Sequence, residues 1–235
     1  MRERPPGRRR MRQVWRHLGF LHWPVSPGVI APLLPPGLEV DTFGGVTYVG
    51  IVPFTIPLSR TRFGLPMAPP FHEINARAYV HRGGRDPGVW FFSLDATSRL
   101  AVVGARLTYA LPYFHAGITL GEAAGSIDYW MRRRVSRATF RARYQAAGPV
   151  APAVPGSLEF FFAERYLLYA RSGRTLRTAR VHHAPYPLQA ATAAGVEQTL
   201  TDVAGLPAGA CAAPPPLVHY AHEVDVDIFG PRPAS

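Results

Sequence analysis

The chain has 235 residues, of which 47% are hydrophobic and 11% aromatic, which is enough apolar material for the core of one large domain. Its 26 cationic side chains against 15 acidic ones give a net charge of +11, and every cation is an arginine because the sequence contains no lysine. The composition therefore excludes reactions that use a lysine Schiff base, and the single cysteine, Cys211, excludes a disulfide within the chain.

The N-terminal segment is strongly basic and has no hydrophobic pattern, so we predict a disordered basic tail over residues 1–12. A single domain over residues 13–230 follows, because no linker or repeat divides the rest of the chain. The start lacks the apolar core of a secretory signal, and no apolar run approaches the roughly 20 residues of a membrane-spanning helix. We therefore predict a cytoplasmic protein that does not insert into membranes.

The first predicted elements are a short helix and a buried strand. Ser26 at the N-cap and Pro27 at the first helical position predict the helix. Gly44-Gly45 then predicts a turn into an apolar strand over residues 46–52. The proline- and arginine-rich stretch over residues 57–70 is predicted to be a long loop.

The most informative predicted strand spans residues 72–81, where apolar and polar side chains alternate. Its polar face carries Glu73, Asn75, Arg77 and Tyr79. In an open sheet this face is simply the side that contacts water. In a closed barrel it lines an interior cavity, where it can bind and protonate a small carboxylate or carbonyl compound. The pattern alone is compatible with both interpretations.

A second candidate constellation follows the next strand, residues 89–94. Residues 98–110 predict a helix that Pro112 ends. The proline sets a turn after the helix, and such a turn projects the next side chain, Tyr113, toward a cleft. Tyr113 is then either a proton donor or a buried tyrosine with a satisfied hydroxyl. Arg106, on the same helix, is a further candidate for binding a ligand.

Arginines cluster again over residues 132–143, which hold no acidic residue. Phe140, Ala142 and Tyr144 alternate with arginines, which predicts a β-hairpin over residues 126–145 rather than a helix. Its solvent face would carry Arg132, Arg134, Arg141 and Arg143. Such a face protects a sheet edge from aggregation, and binding to nucleic acid or another anionic surface is the less favoured alternative.

The remaining pattern predicts a helix capped by Ser157 over residues 158–164, strands over residues 166–170 and 176–181, and a last strand over residues 224–228. The chain contains no GxSxG, P-loop or dinucleotide-binding glycine motif. His182 and His183 point to opposite faces of a strand, and His219 and His222 lack the helical spacing of a zinc protease. We predict neither a metal site nor a cofactor.

Six segments, taken together and in this order, resemble the YqjF-like family of uncharacterised bacterial proteins: residues 15–23, 34–41, 73–80, 88–96, 105–113 and 164–169. That family resembles the acetoacetate decarboxylase-like superfamily. The resemblance implies an α+β fold of mostly antiparallel strands, built as a cone-shaped β-barrel around a cavity, with a few short helices. The 25 prolines and 22 glycines, which favour short strands and tight turns, agree with this fold class.

The resemblance also implies which residues replace the decarboxylase machinery. Tyr113 stands where the Schiff-base lysine would be, and Phe114 stands in place of the neighbouring lysine, so the decarboxylase mechanism is lost. Glu73 falls on the strand where the decarboxylases keep a pocket glutamate. The binding end of the site can therefore persist without its nucleophile.

These observations lead to a small-molecule hypothesis with two versions. In the first, the cavity acts on a carboxylate or carbonyl compound, with Glu73 as base and Tyr113 as acid, and with Asn75, Arg77, Tyr79 and Arg106 as ligand-binding residues. In the second, the same cavity only holds a ligand. An interaction protein that uses the basic hairpin is the third alternative, and assembly into homo-oligomers is left open.

Overall fold

Four short helices and twelve strands make up the computed structural model, which describes residues 3–234. The helices are α1 (Pro27–Ile30), which continues into a 3-10 turn (Ala31–Leu33), α2 (Arg99–Tyr109), α3 (Leu158–Ala163) and α4 (Leu200–Val203). The strands are β1 (Met11–Val25), β2 (Glu39–Val40), β3 (Thr47–Thr61), β4 (Phe71–Arg82), β5 (Arg85–Ala96), β6 (Tyr113–Ala123), β7 (Ser126–Arg133), β8 (Thr139–Ala146), β9 (Leu167–Ser172), β10 (Thr175–His183), β11 (Leu188–Gln198) and β12 (Leu217–Pro233).

All twelve strands belong to one sheet, in the order β10-β9-β5-β6-β7-β8-β11-β12-β1-β3-β4-β2. Two further pairings, β4 with β5 and β10 with β12, join strands that are not neighbours in this order. The hydrogen-bonded path from β12 through β1, β3, β4, β5, β9 and β10 therefore returns to β12. Within the described residues, β5 pairs in parallel with β6 and β9, and the other strand pairs are antiparallel. The predicted class, mostly antiparallel strands with a few short helices, is confirmed.

Strand β4 lies between two hydrophobic clusters. On one face, Ile74 and Ala76 pack in the same cluster as Tyr129 and Phe140 of the β7–β8 hairpin. The opposite face carries Glu73 and the other polar residues and lies toward the second cluster, which contains aromatic side chains of β3, β5 and α3. Both faces of the strand are buried, so its polar face is not the solvent side of an open sheet.

Strand β3 is longer than the sequence predicts. It continues to Thr61, so the first part of the loop predicted over residues 57–70 belongs to the sheet. Pro57 does not end the strand, because the register of β3 against β1 shifts between its residues Thr55 and Leu58. The shift is a β-bulge, where a residue without an N–H group is tolerated.

The predicted basic tail over residues 1–12 makes defined contacts. Met11 and Arg12 already pair with β3 and β12 as the start of β1. Upstream, guanidinium nitrogens of Arg4 and Arg9 lie 3.1 and 3.3 Å from the carboxylate of Asp227. These ion pairs hold the described part of the segment against β12, where the prediction had a disordered chain. Residues 1 and 2 lie outside the described residues.

Several local predictions are confirmed by the structure. Ser157 caps α3 by accepting a hydrogen bond of 3.2 Å from the backbone N–H of Phe160, and α2 lies within the helix predicted over residues 98–110. Ser26 is the N-cap of α1, although its side chain makes no capping hydrogen bond. The β7–β8 hairpin forms with one face buried, and the four predicted arginines are exposed on the other, together with Trp130. Strands β1, β6 and β11 were not predicted, since their sequences do not alternate cleanly between apolar and polar residues.

Candidate functional site

A cavity of about 570 Å³ lies on the polar face of β4. Its walls come from β1, β3, β4, β5, β6, β10 and β12, and helices α2 and α3 contribute further lining residues. Most of the lining is apolar, including Trp15, Leu18, Phe20, Val52, Phe54, Phe71, Phe91, Leu94, Leu111, Phe162, Val181 and Ile228. Polar side chains are few, which is the usual composition of a small-molecule site.

Glu73 is the carboxylate of this cavity and is only 4% exposed. The hydroxyl of Tyr113 donates a hydrogen bond of 2.8 Å to Oε2 of Glu73. The hydroxyl of Tyr129, from the other side of the sheet, donates to the backbone carbonyl of Glu73, also at 2.8 Å. Tyr113 opens β6, directly after the proline that ends the turn following α2, and this turn brings the phenol to the carboxylate of Glu73.

Burial controls the protonation of this pair. It raises the pKa of Glu73 from 4.5 to about 8, against the hydrogen bond from Tyr113, and the negative charge of Asp95 raises the pKa further. Burial and the neighbouring Glu73 also raise the pKa of the Tyr113 phenol well above its usual value. Near pH 7 both groups therefore hold protons, and each is a proton donor to a bound molecule.

Asp95 does not share the cavity with Glu73. It pairs in register with Ile74, on the face of the sheet that packs against the hairpin. There Arg133 of β7 binds it through two hydrogen bonds of 2.7 and 2.9 Å, and the Arg133 guanidinium lies 3.9 Å from the ring centroid of Phe114. The Arg133 guanidinium therefore neutralises the charge of Asp95, whereas the side chain of Glu73 is paired only with the uncharged phenol of Tyr113.

Asn75 and Arg77 line the cavity beside Glu73, on the same face of β4. Oδ1 of Asn75 and the Nε and Nη2 atoms of Arg77 are buried and have no hydrogen-bond partner among the described residues. The Arg77 guanidinium lies 5.7 Å from the ring centroid of Phe20 and 6.0 Å from that of Tyr79. Buried polar atoms without partners are costly, so this part of the wall favours a ligand that supplies the missing partner.

The structure places two predicted site residues elsewhere. Tyr79 is fully buried beside the cavity, where its hydroxyl is 2.6 Å from Nε2 of His22. Arg106 is exposed on α2, and its Nε donates to the backbone carbonyl of Tyr113 at 2.6 Å. Neither side chain lines the cavity. The phenol of Tyr113 therefore receives no help from Arg106 toward its ionised form, and its proton stays in place.

Sequence reasoning missed Arg165 as a cavity residue. It lies after α3, where Nη1 donates to Oδ2 of Asp41 at 2.5 Å and the guanidinium lies 4.1 Å from the ring centroid of Phe161. The only signal for it was its place in one of the segments that carry the family resemblance. The lining also includes Arg10, which is exposed. Because Asp41 already neutralises Arg165, Arg77 is the cavity arginine whose buried nitrogens are available to an anion.

Other candidates from the sequence lie away from this cavity. Arg132, Arg134, Arg141 and Arg143 are exposed on the hairpin, and Nε of Arg143 is 2.9 Å from Asp128. Within residues 3–234, no group of three or more His, Cys, Asp or Glu side chains is placed to hold a metal ion. The described helices include none that is long and apolar enough to cross a membrane.

Comparison with known sequences finds two uncharacterised matches. The family model DUF2071, described as an uncharacterized conserved protein, matches residues 12–225. The uncharacterized protein YqjF of Bacillus subtilis (strain 168) is 39% identical over 225 residues, which cover 94% of this chain and 90% of that protein.

Solved structures with a similar fold belong to acetoacetate decarboxylase-like proteins. Acetoacetate decarboxylase from Legionella pneumophila superimposes with a TM-score of 0.69 at 10% identity, covering 97% of this chain and 88% of that one. The enduracididine biosynthesis enzyme MppR, complexed with pyruvate, gives a TM-score of 0.67 at 14% identity, covering 97% and 91%. At these identities the comparison shows the shared fold.

Proposed function

The chain belongs to the uncharacterised DUF2071 family, and we propose that it binds a small carboxylate or carbonyl compound in a cone-shaped β-barrel and carries out acid/base chemistry on it. The strand path that returns to β12 supports the closed barrel. One domain over residues 13–230 would hold this site. A cytoplasmic location would suit the single cysteine, Cys211, which is buried and free.

The observation that carries this proposal is the buried, hydrogen-bonded Glu73–Tyr113 pair, which lies in the same cavity as the unpaired nitrogens of Arg77. An arginine with free N–H groups in an apolar site binds a carboxylate strongly. A carboxyl group with a pKa of about 8 can give a proton or, once ionised, take one near neutral pH. MppR, which has a similar fold, forms a complex with pyruvate, and this complex supports the same class of ligand.

The chemistry open to this site is proton transfer without a covalent intermediate. Glu73 or Tyr113 can donate a proton to the oxygen of a bound carbonyl, and ionised Glu73 can accept a proton from the adjacent carbon, so that the two steps together give enolisation. Imine formation is excluded because the chain contains no lysine. Hydration, dehydration and hydrolysis need the same two groups and a water molecule.

The first test is ligand binding in the wild type and in Arg77→Ala. Thermal shift against keto acids, hydroxy acids, fatty acids and esters is expected to give acids that raise the Tm by mass action. Loss of charge-assisted hydrogen bonds in Arg77→Ala should weaken these acids by about 10- to 100-fold. Arg141→Ala, which removes an exposed hairpin arginine, is the matched control and should bind like the wild type. Binding that ignored Arg77 would contradict the proposal.

A second experiment separates catalysis from binding alone. A ligand found in the first test is incubated with the protein in deuterium oxide, and exchange of its carbon-bound protons next to the carbonyl is followed by NMR. The wild type should catalyse exchange, while Glu73→Gln should bind the ligand without exchange. A wild type that binds but never exchanges would support the alternative of a non-catalytic binding or regulatory protein.

A further inference from the structure

We propose that the ligand is an elongated amphipathic acid, whose carboxylate binds Arg77, whose carbonyl or hydroxyl group binds Glu73 and Tyr113, and whose hydrocarbon body fills the apolar cavity between them. This inference rests on the proposed function and narrows it. It names a longer and more apolar class of ligand than pyruvate or another three-carbon keto acid.

The spacing of the polar groups supports a long ligand. Glu73 and Arg77 lie on the same face of β4, four residues apart, so their Cα atoms are separated by about 13 Å. The Arg77 guanidinium lies near the rings of Phe20 and Tyr79, and Tyr79 is the next residue on this face in the direction away from Glu73. An acid that contacts both Arg77 and Glu73 must therefore extend along β4 past Asn75, whose buried Oδ1 also lacks a partner.

The size and lining of the cavity point to the same class. About 570 Å³ is within the range of sites that bury a drug-sized ligand. Apart from Asn75, the walls between the two polar ends are formed by hydrocarbon and aromatic groups, among them Phe20, Phe54, Phe91 and Leu94. A short acid would leave this surface in contact with water, whereas a hydrocarbon body would bury it at a gain of about 0.8 kcal/mol for each methylene.

Helix α2 leaves room for such a ligand at the edge of the cavity. Six residues of this helix line the cavity, and the four in the middle are small: Leu100, Ala101, Gly104, Ala105, Thr108 and Tyr109. The larger side chains of Leu100, Val103 and Leu107 are mostly exposed, at 68%, 55% and 81%, so Leu100 contributes only to the edge of the cavity. The helix therefore borders the cavity without filling it, and Ala105 is a site where a larger side chain can occupy the space.

Calorimetry with ω-hydroxy carboxylates from four to twelve carbons tests the proposal, with pyruvate and acetoacetate as short reference acids. We expect Kd to fall about fourfold for each added methylene until the hydroxyl reaches Glu73 and Tyr113, and to level off or rise beyond that length. Arg77→Met should weaken every member by a similar factor. Ala105→Trp, on an exposed helix, should weaken the longest members most.

The result of this experiment can contradict the elongated ligand alone or the proposed function as well. If pyruvate or acetoacetate binds as tightly as the long acids and still depends on Arg77, the elongated ligand is refuted and the proposed function stands. If no acid of any length binds to the wild type, both are refuted. Unchanged binding of the long acids in Ala105→Trp, confirmed as folded by circular dichroism, would also contradict the assigned position of the hydrocarbon body.

Discussion

Glu73 shows how strongly one residue depends on its surroundings. On an exposed strand it would be an ordinary acid, but here it is buried against a phenol and has no cation to neutralise it. The neutral form is therefore favoured, and the folded protein holds a proton that the unfolded chain releases. The same feature that makes Glu73 suitable for proton transfer reduces the stability of the folded state at high pH.

Replacing Glu73 by Gln should change the pH dependence of stability. Because the folded-state pKa is about 8 and the unfolded value 4.5, raising the pH between these values destabilises the wild type by on the order of 5 kcal/mol. Urea unfolding should show little difference between Glu73→Gln and wild type at pH 5 and a more stable variant at pH 9. Glu197→Gln, at an exposed carboxylate, is the control. If the difference in the free energy of unfolding between Glu73→Gln and wild type did not increase with pH, burial would not be what raises the pKa of Glu73.

Both partners of the Asp95–Arg133 ion pair are buried at the contact between the hairpin and the main sheet, so each depends on the other for charge neutralisation. Asp95→Asn leaves the Arg133 charge buried without a carboxylate, so we expect a loss of about 3–5 kcal/mol in the free energy of unfolding. Asp128→Asn breaks the exposed pair with Arg143 and should cost far less, because water screens this contact. Equal losses in the two variants, measured by urea unfolding, would overturn this ranking.

At the scale of elements, glycine has a different effect on stability in helix α2 and in strand β5. Gly104 lies within α2, and a Cβ atom built there meets nothing within 4 Å. Gly88 lies in β5 opposite Leu167 of β9, and a Cβ atom there would be 2.6 Å from the Leu167 carbonyl oxygen. The helix tolerates a side chain, whereas the parallel contact of β5 and β9 requires its absence.

Alanine at these two positions should therefore change stability in opposite directions. Gly104→Ala should stabilise the protein by about 0.5–1 kcal/mol, because alanine restricts the unfolded chain and favours helix. Gly88→Ala should destabilise it by about 1–3 kcal/mol, because the backbone of β9 must move. Thermal and urea unfolding of both variants measure this. A stabilising Gly88→Ala would contradict the close approach of the two strands.

At the scale of the whole molecule, burial affects many titratable groups at once. It lowers the pKa of five histidines that lie in different parts of the fold, namely His17, His22, His72, His183 and His219. Each is kept neutral in the folded state, so its contribution to stability is present above pH 6.5 and is lost as the pH falls below that value. Glu73 acts in the opposite direction.

Acid should therefore destabilise the protein most clearly when Glu73 is removed. In Glu73→Gln we expect the free energy of unfolding to fall by at least about 1 kcal/mol between pH 7 and pH 5. Adding His22→Gln, at the histidine stacked on Phe162, should reduce this fall. The measurement is urea unfolding at the two pH values. A rise in stability toward pH 5 in Glu73→Gln would contradict the prediction.

Part of this fold and site could be predicted because local patterns are independent of distant parts of the chain. Alternation over residues 72–81 gave the position of β4, and the serine cap at Ser157 gave the start of α3. The longer extent of β3 could not be predicted, since Pro57 is tolerated only through a bulge against β1. Arg165 was missed for the same reason: its partner, Asp41, is 124 residues away in the sequence.

The sequence by itself determined that no lysine chemistry operates and that Glu73, Asn75 and Arg77 share one face of a strand, because both depend only on residue type and the two-residue period of a strand. Tertiary structure alone decided that this face lines a cavity, that Tyr113 meets Glu73, and that Tyr79 and Arg106 lie elsewhere. These features depend on which strands pair across the chain. Strand pairing also excludes water from Glu73 and so determines its protonation state.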